Sequence, residues 1–204
     1  MSPLASPIAS PPPLRHGRIG LREVRISDAQ ALQQLLTENR RWLERWEATY
    51  PGGGGAVPGS VSMKPVIRAM RRMQRGGASL PLVITWDDVV VGQLTISDIS
   101  GGALRSASIG YWIAETVAGR GITPTAVALA IDHAMTGLRL HRIEICIRPE
   151  NKASLRVVEK LGMRYEGRRP NYIHIAGKWC DHDSFAVTQE EIPEGMLARV
   201  GAAP

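Results

Sequence analysis

The chain has 204 residues, 44% of them hydrophobic and 22% charged, with a formal net charge of +6. Those values belong to a globular domain with a sizeable core, and the basic balance favours anionic partners: a phosphorylated cofactor, an acidic peptide or an RNA surface. Two cysteines, Cys146 and Cys180, are too few for a secreted disulfide scaffold, and no apolar run reaches the length that crosses a bilayer.

Residues 1–18 are rich in proline and serine and lack the contiguous apolar stretch of a signal peptide, so they read as a disordered tail on a cytoplasmic protein. A domain over 19–189 follows, with a short tail over 190–204. Residues 19–24 make a first strand. Ser27 and Gln30 form a capping-box signature opening a helix to about Arg45, with Ala31, Leu32, Leu35 and Leu36 inward. Trp42 and Trp46 then stand one helical turn apart, either as two core aromatics or as an apolar rim for a bound peptide or acyl group. The glycine-rich 51–60 is a flexible excursion and a natural lid over a substrate entrance. A basic helix over 63–74 comes next, and its Arg68, Arg71, Arg72 and Arg75 form a solvated face or a nucleic-acid stripe.

Residues 82–86 and 89–96 pair as strands across Asp87 and Asp88. Ile109, Tyr111 and Ile113 alternate with Ser108, Gly110 and Trp112, the period-2 pattern of a central strand. The pattern stops at Gly119-Arg120-Gly121. Thr123 then offers an N-cap hydroxyl and Pro124 suits the first helical position, with Val127, Ala130, Ile131, Ala134, Met135 and Leu138 on one face. Successive N–H groups converging before a helix N-terminus make an anion cradle suited to phosphate or diphosphate. Neither the third glycine of a dinucleotide fold nor the Gly-Lys-Ser/Thr of a P-loop is present.

Residues 141–148 form another strand, with Ile143, Ile145 and Ile147 on one face and Glu144 and Cys146 on the other. Asn151 to Ser154 opens a helix carrying Leu155, Val158 and Leu161 and ending at Gly162. Closing strands follow over 165–167, 172–175 and 178–188. A metal site from Cys146, Cys180, His174 and His182 has no recognised ligand spacing, so no metal is expected.

Two segments together resemble the GCN5-related N-acetyltransferase (GNAT) family. Ala118-Gly119-Arg120-Gly121-Ile122-Thr123 is similar to its acetyl-CoA loop, and Asn151-Lys152-Ala153-Ser154 through Glu159-Lys160-Leu161-Gly162-Met163 is similar to its second motif. Tyr111-Trp112-Ile113, Trp42-Leu43-Glu44-Arg45-Trp46 and Gly177-Lys178-Trp179-Cys180-Asp181-His182 resemble the RimJ/RimL branch, N-terminal acetyltransferases of ribosomal proteins. The likeness spans about Gly20 to Val187. It implies an α/β (α+β) fold with a central mixed, mostly antiparallel sheet flanked by helices, and acetyl-CoA as cosubstrate.

That resemblance implies that the pantetheine arm pairs with Tyr111, Trp112 and Ile113. The diphosphate would sit on Gly119, Arg120, Gly121, Ile122 and Thr123, with Thr125 and Ala126 at the helix start. Asn151 would bind the pantetheine region, and Ser154, also against the cofactor, would protonate the departing sulfur. Val158 stands where many relatives carry a tyrosine for that task. Ile173 stands where RimL-like enzymes carry a glutamate, which leaves Glu144, Cys146 and Asp181, and after them Glu115, as candidates to orient a proton-accepting water. Asp181 and His182 equally read as a structural polar pair. Trp42, Trp46 and Tyr172 are the candidate acceptor-binding residues.

The expected acceptor is a peptide or protein N-terminus, of a ribosomal protein, since an α-amine with a pKa of about 7.7–8.0 needs a weaker base than lysine at about 10.4. A small amine such as an antibiotic or polyamine, and a non-catalytic RNA-docking module, are the rivals. Neither DNA nor membrane is an expected partner, and monomer and homodimer both remain open.

Overall fold

The computed structural model describes residues 7–201. Residues 1–6 and 202–204, the ends of the two expected tails, lie outside the described residues. Eight strands form one sheet in the order β1-β2-β3-β4-β5-β6-β8-β7: β1 Leu14–His16, β2 Ile19–Glu23, β3 Leu80–Trp86, β4 Val89–Ser100, β5 Ser106–Ile113, β6 Arg142–Ile147, β7 Arg164–Ile175 and β8 Lys178–Thr188. All neighbours are antiparallel except β5 and β6, so the sheet is mixed and mostly antiparallel as expected.

Helices cover both faces. On one, α4 (Ile122–Thr136) and α5 (Lys152–Lys160) pack on Leu21, Leu82, Leu94, Ile109, Ile143 and Ile145. On the other, α1 (Ala29–Glu38), α2 (Arg40–Leu43) and α3 (Met63–Arg75) bury Leu32, Leu36, Leu43, Met63 and Ile67 against Val24 and Val83. No helix among the described residues is long and apolar enough to cross a membrane.

Several local expectations shift. The first helix breaks at Asn39 and ends at Leu43, so Trp46 lies in the following turn rather than on the same helix as Trp42. Its N-terminus is closed by Asp28, whose carboxylate accepts the Arg25 amide at 2.7 Å and both terminal nitrogens of Arg22 at 2.8 Å. Ser27 makes no cap. The inward stripe is Ala29, Leu32 and Leu36, while Ala31 is exposed.

In α4 the cap is Gly121 at φ 80°, not Thr123, which moves Pro124 from the first to the third helical position. There its missing N–H still costs nothing, because the first turn has no internal acceptors. Nor is α4 one-sided: Ala126, Val127, Ala128, Ala130 and Ile131 are all fully buried, since sheet, α5 and the C-terminal segment enclose it.

The described parts of both expected tails pack on the domain. Leu14–His16 pairs with β2, and Ile8 is buried with its amide donating to the Gln74 carbonyl at 3.2 Å. At the other end Met196 is fully buried, and the Asp132 carboxylate of α4 accepts the Met196 and Leu197 amides.

Candidate active site

The site follows from one defect in the sheet. β5 and β6 run parallel and pair only over Ser106–Ser108 against Arg142–Glu144. Beyond Ser108 the strands part: β5 continues to Ile113 held only by β4, and β6 continues to Ile147 held only by β8. The main-chain edge of β5 facing the split, from Ile109 to Ile113, is therefore left without a strand partner.

Two cavities open from this split. One of about 690 Å³ is lined by Trp42, Trp112, Ile113, Gly119, Gly121 and Thr123 on one side and by Lys152, Arg156 and Lys160 of α5 on the other. One of about 390 Å³ lies toward β8 and is lined by Glu47, Thr95, Cys146, Arg148, Ile173 and His182 among others. Tyr111, Trp112, Asn151 and Ser154 line both, as do Leu43 and Trp46. The cavities meet there.

The larger cavity ends on the mouth of α4. Gly119 and Gly121 have φ of 79° and 80°, which turn the chain so that consecutive amides face one side. Among the described residues, no main-chain carbonyl accepts the amides of Gly119, Arg120, Gly121, Ile122 or Thr123. A Cβ on Gly119 would meet no atom within 4 Å, so open space lies beside it. Five unpaired donors at a helix N-terminus, with Lys152, Arg156 and Lys160 opposite, form a strongly anion-attracting cleft. These donors and cations fit the phosphates of coenzyme A. The three basic positions were missed in the sequence; their i, i+4, i+8 spacing on α5 was the available signal.

Not every residue expected at the cofactor reaches the cleft. Arg120 stacks its guanidinium 5.2 Å from the Trp86 ring and Ile122 is buried in the core, so both contribute main chain only. Thr125 and Ala126 are fully buried in the second turn, and the Thr125 amide and hydroxyl both donate to the Gly121 carbonyl. They support the loop from behind and touch nothing in the cleft. Ile113 lines the cavity, but its carbonyl already accepts Trp42 Nε1 at 3.1 Å. Asn39, also missed, fixes the chain two residues further on: buried between α1 and α2, it donates to the Leu35 carbonyl and accepts the Glu115 amide at 2.8 Å.

At the junction, Asn151 caps α5 by accepting the Ser154 amide at 3.1 Å, which sets the first turn and presents Ser154 to both cavities. The Tyr111 hydroxyl reaches toward the Ser154 carbonyl at 3.5 Å, and burial raises its pKa so that it stays protonated.

Of the expected water-orienting groups, Glu144 and Cys146 are brought together and Asp181 is not. Glu144 lies on β6, an interior strand of the sheet. Its carboxylate is gripped by Arg142 and Arg169 and accepts the Cys146 thiol at 3.2 Å. Cys146 does line the smaller cavity, with its thiol pKa pushed up to about 11 by burial and by the adjacent Glu144, against the opposing pull of Arg169. Asp181 faces away, accepting the Asn171 amide at 2.9 Å. Neighbours on a strand point to opposite faces, so Asp181 cannot pair with His182, which is buried and lines the smaller cavity instead. Tyr172 lines neither cavity; its hydroxyl accepts Arg169 and its ring stands edge-on to His182. Trp46 lines both cavities; Trp42 lines the larger and also packs on the core beneath α1 to α3, so it serves as core aromatic and cleft wall together.

A parted parallel strand pair, with an anion-binding helix mouth on one side and an acceptor-sized cavity on the other, defines an acyltransferase of the acetyl-CoA-using type. The chain belongs to the GNAT acetyltransferase family, whose domain model matches residues 18–164. The Bacillus subtilis protein "Probable N-acetyltransferase YjcK" is 31% identical over 85% of this chain and 96% of its own length. The Escherichia coli ribosomal protein uS5-alanine N-acetyltransferase is 27% identical over 87% of this chain and 91% of its own. Among solved structures, Mycobacterium smegmatis RimJ in complex with CoA-disulfide is 38% identical, with a TM-score of 0.85 over 98% of this chain and 96% of that one. The protein is thus an acetyl-CoA-dependent acetyltransferase with ribosomal-protein N-acetyltransferases among its homologues.

Proposed function

We propose that this enzyme acetylates the free α-amino terminus of a protein, and of a ribosomal protein in the cell. The observation that carries the reading is the meeting of the two cavities at Tyr111, Trp112, Asn151 and Ser154. A cofactor reaching in from the α4 mouth and an amine entering from the β8 side converge on those residues.

Acetyl-CoA supplies an acetyl group activated as a thioester. The chain's own residues do the rest. The amides from Gly119 to Thr123 hold the diphosphate, and Lys152, Arg156 and Lys160 neutralise the remaining phosphate charge. The unpaired edge of β5 and Asn151 hold the pantetheine arm, and a β5 amide donates to the thioester oxygen as negative charge gathers there. The Ser154 hydroxyl delivers a proton to the departing sulfur. Trp46 and Trp112 exclude water and flank the entering chain.

The choice of an α-amine rests on proton affinity. Glu144 is neutralised by two arginines and Glu47 is paired with Arg40, so no free carboxylate lines the acceptor cavity among the described residues. Such a site suits an amine of pKa about 7.7–8.0, a sizeable fraction of which is neutral near pH 7, better than a lysine. The names of the uS5-alanine and RimJ relatives support the same substrate class.

Purified enzyme offered acetyl-CoA with alanine- or serine-initiated peptides, lysine peptides and polyamines tests this. Thiol release is expected to be at least about tenfold faster, as kcat/KM, with the N-terminal peptides. Turnover confined to polyamines or other small amines would contradict the reading, as would no turnover alongside steeply salt-dependent RNA binding.

A further inference from the structure

The acceptor cavity needs a group that takes a proton, and the expected candidates fail on geometry. Glu144 is clamped by two arginines, Asp181 faces Asn171, and Cys146 is itself a protonated donor to Glu144. His182 is what remains. It lies on β8 with its side chain on the same face as Cys180, is buried, and lines the cavity that also holds Cys146 and Ser154.

Its tautomer follows from its one hydrogen bond. Nδ1 lies 3.0 Å from the Cys180 carbonyl oxygen, and a carbonyl only accepts, so Nδ1 carries the hydrogen. In the neutral ring the lone pair then sits on Nε2, and no described residue hydrogen-bonds to that atom. The Tyr172 ring, edge-on with centroids 5.8 Å apart, packs beside the imidazole. We propose that His182 is the catalytic base, its Nε2 accepting the proton released by the acceptor amine during acetyl transfer.

The step balances. The amine nitrogen bonds to the acyl carbon, and the carbon–sulfur bond breaks with its electron pair leaving on sulfur. Nε2 takes the surplus amine proton and Ser154 protonates the thiolate, after which solvent exchange returns both side chains to their starting state. An amine bonded to an acyl carbon is far more acidic than a free ammonium, so a modest base suffices. Burial is the largest influence on His182 and lowers its pKa, opposed by the Cys180 carbonyl. Among charged neighbours Arg148 lowers it, while Glu150 and Asp181 raise it; the outcome lies below the usual histidine value. The ring is therefore neutral and receptive near pH 7.

This rests on the acetyl-transfer reading of the same site, so the test uses whichever amine the wild type acetylates fastest. If that amine is a polyamine, the N-terminal reading fails while the His182 test stands. His182→Asn keeps a nitrogen donor near the Nδ1 position for Cys180 and removes the base. It is expected to lower kcat by about 100- to 10,000-fold while acetyl-CoA affinity by calorimetry stays within about twofold. The wild-type pH profile needs no variant. Below the His182 pKa, log kcat/KM is expected to fall by about two per pH unit, one for the amine and one for the imidazole, against about one above it. In His182→Asn the slope is expected to stay at about one. A wild-type slope of about one down to pH 5, or an Asn variant within about fivefold of wild-type kcat, would overturn the proposal.

Discussion

Cys146 and His182 face the same cavity and have opposite characters for stated reasons. Burial and Glu144 keep the cysteine a thiol, with a pKa of about 11, whereas burial and Arg148 keep the histidine an uncharged acceptor. A raised thiol pKa means the thiolate is scarce until the pH climbs toward 11, so direct nucleophilic catalysis by Cys146 is disfavoured near neutrality. Iodoacetamide labelling of Cys146 at pH 8, followed by peptide mass spectrometry, is expected to run roughly 100-fold slower than for free cysteine and to accelerate with rising pH. Labelling as fast as free cysteine at pH 8 would show a stabilised thiolate and contradict the assignment. Residue types at this scale were legible, but their partners were not. Alternation on β6 put Glu144 beside Cys146, and the structure agrees. Nothing local to Glu144 announced Arg169 from β7, a strand reached only through a bulged register. His182 was masked by its neighbour Asp181, since reading them as a pair ignored the strand's two-residue period.

Among the elements, the α4 mouth carries the most weight. The strand, glycine turn and helix were readable from period and composition because each obeys a local rule. The exact cap was not, because Thr123 and Pro124 satisfied a capping rule equally well two residues downstream. What decided it was the left-handed backbone at Gly121, a tertiary demand invisible to propensity. Gly119→Val tests the cradle. Its Cβ meets no neighbour, so the main folding cost is the left-handed strain, about 1–2 kcal/mol and more for a β-branched side chain. The strain rotates the flanking amides away from a common target. Calorimetry is therefore expected to show acetyl-CoA affinity weakened by roughly 100-fold or more, as for loss of two charge-assisted hydrogen bonds, with thermal unfolding still cooperative. Wild-type affinity in this variant would remove the cradle from the account. The same logic explains Thr125 and Ala126: they sit where a helix start was expected, yet one turn too deep to meet a ligand.

For the whole molecule, the sheet is two blocks, β1 to β5 and β6 to β7 by way of β8, joined through three residue pairs. That narrow join produces the cleft, and no short window of sequence contains it, because it depends on where two strands with partners 36 residues apart cease to pair. Element order and the two motifs were enough for the family. The ordering of Ile8, Leu14–His16 and Met196 was not readable, since each is fixed by a distant partner: Gln74, β2 and Asp132. A crystal structure with coenzyme A tests the central claim most directly. The diphosphate is predicted within hydrogen-bonding distance of the amides from Gly119 to Thr123, with the sulfur beside Ser154 where the two cavities join. Coenzyme A bound elsewhere, with the α4 mouth closed to it, would contradict the account.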